Sequence, residues 1–170
     1  MGAGSDGSDS LCAVNLTQPM PADDDAIVRD LRMAFGAGTP IGVVNGGPCS
    51  RSTPLCLLVV EGSSESSATE LGCRGDIVRL EGLAAPDGCG LWLAEVDVAR
   101  EAAGTLTAEG RVVSSALLLR GCAVWSSTQL AAEISRQSWG LCDAAYEDIP
   151  FASLPDGGEG SEGGDRKSVV

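Results

Sequence analysis

Residues 55–61 (LCLLVVE) form an unbroken apolar run of strand length. Such a run is expected of a strand buried on both faces, not of one with a wet side. Around it the sequence reads as short strands broken by turns. Residues 40–45 (PIGVVN) lead into Gly46-Gly47-Pro48, a strong turn. Residues 76–83 alternate, and Pro86-Asp87-Gly88 is a turn signature. Residues 91–98 oppose Leu91, Leu93, Glu95 and Asp97 to Trp92, Ala94, Val96 and Val98. Two further strands are expected over 105–113 and 116–125, joined through Ser114-Ser115.

Helical periodicity flanks these strands. Acids at Asp23, Asp24 and Asp25 precede Ile27, Leu31 and Phe35, which share one helical stripe, and Gly36 and Gly38 end it. Leu130 and Ile134 predict a second helix over 128–138, capped by Ser127 or Thr128, with a further turn over 142–149. The fold class expected is mainly β with flanking helices (α+β), a small five-stranded bent β-barrel with an N-terminal and a C-terminal helix. An open α+β sheet is the alternative. The domain is expected over 23–154. An acidic Gly/Ser tail over 1–22 and a Gly/acidic tail over 155–170 read as disordered.

The net charge of −13 is spread along the chain: residues 1–25 hold five acids and no base, and no segment is basic. The electrostatic footprint of a free-standing nucleic-acid binder is therefore missing. No apolar run approaches the roughly 20 residues needed to span a bilayer, and the start has no signal-peptide pattern. The expectation is an intracellular protein, nuclear or cytoplasmic, with no membrane partner.

The chain has no histidine, which excludes Ser-His-Asp and Cys-His catalysis and every His-bearing zinc site. Its seven cysteines are odd in number, and no two are spaced C-x-x-C, so neither a disulfide framework nor a zinc site is expected. Most read as small buried hydrophobes in a reducing compartment. Asp87, Glu95 and Asp97 read as turn and surface acids. No cofactor, no catalytic residue and no metal ligand is expected.

A resemblance enters at residues 76–125. A glycine-bearing strand (Val78-Arg79-Leu80-Glu81-Gly82-Leu83) leads to Asp87 and the L-x-L strand Leu91-Trp92-Leu93. Later comes Leu118-Leu119-Arg120-Gly121-Cys122-Ala123-Val124. These stretches resemble the two motifs of the Sm/LSm family. The resemblance implies a non-catalytic Sm-like barrel subunit of a larger ribonucleoprotein assembly, acting by strand addition to other protein subunits as a hetero-oligomer. It implies RNA contact through Arg120, Gly121 and Asp87, and a subunit interface at Leu117, Leu118, Leu119 and Val124. Residues 104–126 also resemble the last hairpin of the smallest replication protein A subunit, an OB fold, which implies a structural subunit of a single-stranded-DNA-binding complex. In either case RNA or single-stranded DNA is reached through the complex. The remaining alternative is a metal-dependent hydrolase built on the acids around Glu95.

Overall fold

A computed structural model describes residues 10–22, 25–49, 52–62, 77–80, 86, 88–139 and 145–153. In chain order the elements are β1 (Ser10–Ala13), β2 (Pro19–Met20), α1 (Ala26–Phe35), β3 (Ile41–Asn45), β4 (Leu55–Glu61), β5 (Ile77–Arg79), β6 (Cys89–Glu95), α2 (Val96–Ala108), β7 (Val112–Arg120), β8 (Ala123–Ser126) and α3 (Ser127–Ser135). Two 3₁₀ turns, Tyr146–Asp148 and Pro150–Ser153, follow.

Six strands form one sheet in the order β2-β3-β7-β4-β6-β5. All neighbours are antiparallel except β3 and β7, which run parallel with Ile41 opposite Ala116 and Asn45 opposite Arg120. A separate two-stranded ribbon pairs β1 with β8, Cys12 opposite Val124 and Leu11 opposite Trp125.

The apolar run of β4 explains the layering. Strand side chains alternate faces, and in β4 both faces are buried. Cys56, Leu58 and Val60 join Leu118 of β7 and Trp92 of β6 beneath the helices. Leu57 and Val59 join Leu117 and Leu119 on the opposite face, covered by Ile149 and Phe151. Tyr146, stacked on Phe151 with centroids 5.9 Å apart, packs against that second layer, as do Val14 and Leu16.

Helix α1 begins where the Asp25 side chain accepts hydrogen bonds from the Ile27 and Val28 amides, at 2.9 and 3.4 Å. This satisfies amide donors that the first helical turn leaves without partners. Helix α2 packs beside α1 and buries Val96, Ala99, Ala102, Ala103 and Leu106. It carries the chain from β6 across β4 to β7.

Several expectations are corrected. The class is mixed α+β, but no closed barrel is present among the described residues: β2 and β5 stand at opposite edges of an open sheet. The β5–β6 hairpin forms, yet β4 lies between it and β7, so the two motif-bearing stretches do not adjoin. Residues 96–108, expected as a strand end, a loop and a new strand, are helix α2. Its alanines and Leu106 recur at helical spacing and find the sheet, which outweighs the β-preference of Val96, Val98, Thr105 and Thr107. Ser114 and Ser115 lie inside β7, not in a turn. Strands β1 and β2 form within the stretch read as a disordered tail. Among the described residues no helix is long and apolar enough to cross a membrane.

Candidate functional site

The parallel pair β3–β7 brings two loops together at its carboxyl ends. In open sheets such ends are where side chains and loops converge on a site. After β3 comes Gly46-Gly47-Pro48-Cys49, and after β7 comes Gly121-Cys122. The Gly46 amide donates to the Arg120 carbonyl at 2.9 Å. Cys49 and Cys122 exchange amide-to-carbonyl bonds of 2.8 and 2.9 Å, forming a single antiparallel bridge. The backbones approach so closely that only glycine fits. A Cβ on Gly46 would overlap the Gly121 carbonyl oxygen, and one on Gly47 (φ +147°) would overlap the Cys122 backbone.

This clasp holds the ribbon. Strand β8 leaves it directly, and the Asn15 amide, just after β1, donates to the Gly46 carbonyl at 3.0 Å. Beside it, the Asn45 amide donates to the Gln18 carbonyl at 2.9 Å. The Arg120 guanidinium reaches Asp25 Oδ2 at 2.6 Å. Desolvation pushes the Asp25 carboxyl up, but the Arg120 hydrogen bond and charge, with the α1 amides, outweigh it and hold it below its ordinary value.

The ribbon and α3 present an aromatic pair. Ser126 caps α3 by accepting from the Gln129 amide at 3.1 Å. The helix has no buried residue, and Leu130 and Ile134 are only half-covered. Trp125 of β8 and Trp139, just beyond α3, meet edge to face with centroids 5.6 Å apart. Both indoles donate to the same oxygen of Glu133, Trp125 at 3.1 Å and Trp139 at 2.7 Å, while Nε2 of the Gln129 side chain donates to the other at 3.0 Å. The Trp139 hydrogen bond, followed by that of Gln129, lowers the Glu133 pKa and keeps the carboxylate charged. Leu11, opposite Trp125, projects from the same ribbon face. Leu11 is 45% exposed and Trp139 50%.

The residues singled out from sequence fall as follows. Arg120 is tied to Asp25, the α1 cap, and Gly121 takes the φ of +81° that lets β7 turn into the clasp. Asp87 lies outside the described residues. Leu117, Leu118 and Leu119 are 1%, 0% and 3% exposed and fill both core layers from the centre of the sheet. Val124 is 43% exposed on the ribbon. Trp92 is fully buried, and its indole nitrogen has no hydrogen-bond partner among the described residues.

The acids near Glu95 line a cleft of about 290 Å³ with Asp30, Arg100 and Pro54. There Asp97 pairs with Arg100 at 3.0 Å on the surface of α2. Among the described residues no group of three or more His, Cys, Asp or Glu is placed to hold a metal ion. Sequence reading missed the Trp125–Glu133–Trp139 unit. Part of its signal was present: Glu133 lies eight residues from one tryptophan and six from the other, across an expected helix whose cap is Ser126 and not Ser127 or Thr128.

Comparison with known proteins bears on the whole chain. A family model described as AlgH-like (DUF179) matches residues 7–156. Among solved structures, protein DIP2367 from Corynebacterium diphtheriae is similar in fold, with a TM-score of 0.53 and 19% identity. The match covers 84% of this chain and 64% of that one, so the chain spans less than two thirds of its neighbour's length. No curated protein matches. These findings and the open sheet overturn the Sm/LSm and replication protein A resemblances. With them go the ribonucleoprotein and single-stranded-DNA-complex roles drawn from those resemblances. A model match over most of its length places the chain in the AlgH-like family.

Proposed function

We propose that the chain is a non-catalytic docking domain whose ribbon face, centred on Trp125 and Trp139, engages a basic segment of another protein. The observation that carries this reading is the shared Glu133 carboxylate, which fixes both indoles while leaving Trp139 half exposed. Tryptophans dominate the energetics of many protein interfaces, and an anchor already held in place loses little freedom on binding. Leu11 extends the apolar area beside them.

Charge selects the partner's chemistry. The chain carries −13 overall, and Asp6 and Asp9 lie just before β1. A charged carboxylate beneath two indoles favours an arginine or lysine side chain, which the aromatic faces attract as well. The same net charge opposes pairing with a second copy of the chain.

The test is a fluorescence titration of the full chain with a hexa-arginine peptide at physiological salt, with a hexa-glutamate control. Saturable quenching is expected with the basic peptide alone, and Trp139→Ala should bind roughly tenfold more weakly. Equal binding by wild type and Trp139→Ala would reduce the attraction to overall charge and refute the docking site.

A further inference from the structure

Three cysteines far apart in sequence gather near the clasp, and the backbone register selects one pair of them. Cys49 stands directly opposite Cys122 in the antiparallel bridge, with amide-to-carbonyl bonds of 2.8 and 2.9 Å running both ways. Opposed residues of an antiparallel pair project to the same face. Where both hydrogen bonds are exchanged, the two Cα atoms lie about 5.5 Å apart, inside the span of about 4.4 to 6.8 Å that disulfides bridge. Cys12 is placed differently. It stands opposite Val124, two residues beyond Cys122, and so is diagonal to Cys122. Diagonal neighbours lie about 7–8 Å apart, too far for a disulfide unless the backbone moves. Cys56 faces Ala94 and Leu118, and Cys89 faces Glu61, so neither has a thiol opposite it among the described residues.

We propose that Cys49 and Cys122 form a reversible disulfide, making the clasp a site of oxidative modification with hydrogen peroxide as the oxidant. Exposure sets the two roles. Cys49 is exposed and meets the oxidant; Cys122 is buried and stands opposite it. The loops that carry them already touch, since a Cβ on Gly47 would overlap the Cys122 backbone. Reversibility follows from the same register. Opposed Cβ atoms lie about 5 Å apart, whereas a relaxed disulfide holds them at about 3.8 Å. Closing that gap strains the bond, and a strained disulfide is readily reduced.

The chemistry balances with one peroxide. The Cys49 thiolate attacks the O–O bond, forming a sulfenic acid and releasing hydroxide, which takes up the thiol proton as water. The Cys122 thiolate then attacks the Cys49 sulfur, the S–O bond breaks, and a second water leaves with the Cys122 proton. Two thiols lose two electrons, and the peroxide is reduced to two waters. The product ties the loop after β3 covalently to the turn that follows β7. This inference stands apart from the docking proposal, since it uses the clasp and neither tryptophan.

The test treats the reduced full-length chain with hydrogen peroxide, blocks residual thiols and maps tryptic peptides. Cleavage at arginine puts Cys12 in peptide 1–29, Cys49 in 33–51 and Cys122 in 121–136. The expected product joins 33–51 to 121–136 at about 2 Da below their summed mass, and reduced glutathione reverses it. It persists in Cys12→Ser and is lost in Cys49→Ser, whose exposed position leaves folding intact. Exchange of the Cys49 and Cys122 amides should slow about tenfold in the oxidised chain. A cross-link through Cys12, or no cross-link between 33–51 and 121–136 in folded wild type, would overturn the proposal.

Discussion

Replacing Gly46 by alanine tests whether the clasp is as tight as its geometry demands. The added methyl would overlap the Gly121 carbonyl oxygen and stand 2.8 Å from Val14 Cγ1, and the Gly121 carbon would be 3.2 Å away. The first obstacle is backbone, so no side-chain rotation relieves it. Opening the two loops by about 1 Å removes the overlap but lengthens the bonds between them. Those are the Gly46–Arg120 bond and the two Cys49–Cys122 bonds. Each such bond contributes about 1 kcal/mol net. Partial loss of the set, with the strain of overpacking, gives a destabilisation of about 3 kcal/mol. For a chain of this size that lowers Tm by about 9 °C. Gly38→Ala is the control, because a Cβ there meets nothing within 4 Å. It should leave stability within about 0.5 kcal/mol. Urea titration of both variants, with amide exchange at Cys49 and Cys122, decides the matter. If Gly46→Ala melts with Gly38→Ala and both cysteine amides stay protected, the close-approach argument is wrong.

Three further outcomes are expected. Asp25→Asn keeps the helix cap but removes the charge facing Arg120, and should cost about 1 kcal/mol at pH 7. Because the folded-state pKa of Asp25 lies below its ordinary value, that contribution is complete above the unfolded pKa and disappears as pH falls through the folded one. The gap between wild type and variant should therefore narrow in urea titrations as the pH falls through the range below the ordinary Asp pKa; a gap that stays constant down to about pH 2 would contradict the ion pair. Leu118→Ala empties a fully buried position in the sheet centre and should cost about 3 kcal/mol, whereas Val124→Ala on the exposed ribbon should stay within about 0.5 kcal/mol by the same assay. Glu133→Ala releases both indoles and should weaken the near-ultraviolet circular dichroism of the tryptophans while shifting stability by less than about 0.5 kcal/mol.

Some of this architecture is written locally and some is not. Residues 55–61 announce a strand buried on both faces because no polar side chain interrupts them before Glu61 at the end, and the structure places that strand between β7 and β6. Helix α1 is equally legible, since its cap, apolar stripe and terminal glycine lie within a dozen residues. Helix α2 was hidden because Val96 and Val98 prolong the alternation of β6, while its buried alanines give only a weak apolar signal. The clasp could not be read at all. Gly46-Gly47-Pro48 looks like a turn between sequential strands until β7, some seventy residues later, is known to lie parallel to β3. The proximity of Cys12, Cys49 and Cys122 follows from that pairing and not from any spacing. The aromatic site occupies a middle ground: α3 was expected, yet nothing local says that Trp125 and Trp139 share its carboxylate.

The place of β7 has a consequence for how the molecule is made. The strand supplied late in the sequence is the one that separates β3 from β4. A ribosome-bound chain ending before residue 112 can assemble α1, α2 and the β4–β6 pairing, but β3 has no neighbour to join except the two-residue β2. Long-range pairing of this kind delays folding until the distant strand arrives. The edges of β3 and β4 that face each other across β7 therefore stay unpaired until residues 112–120 are available.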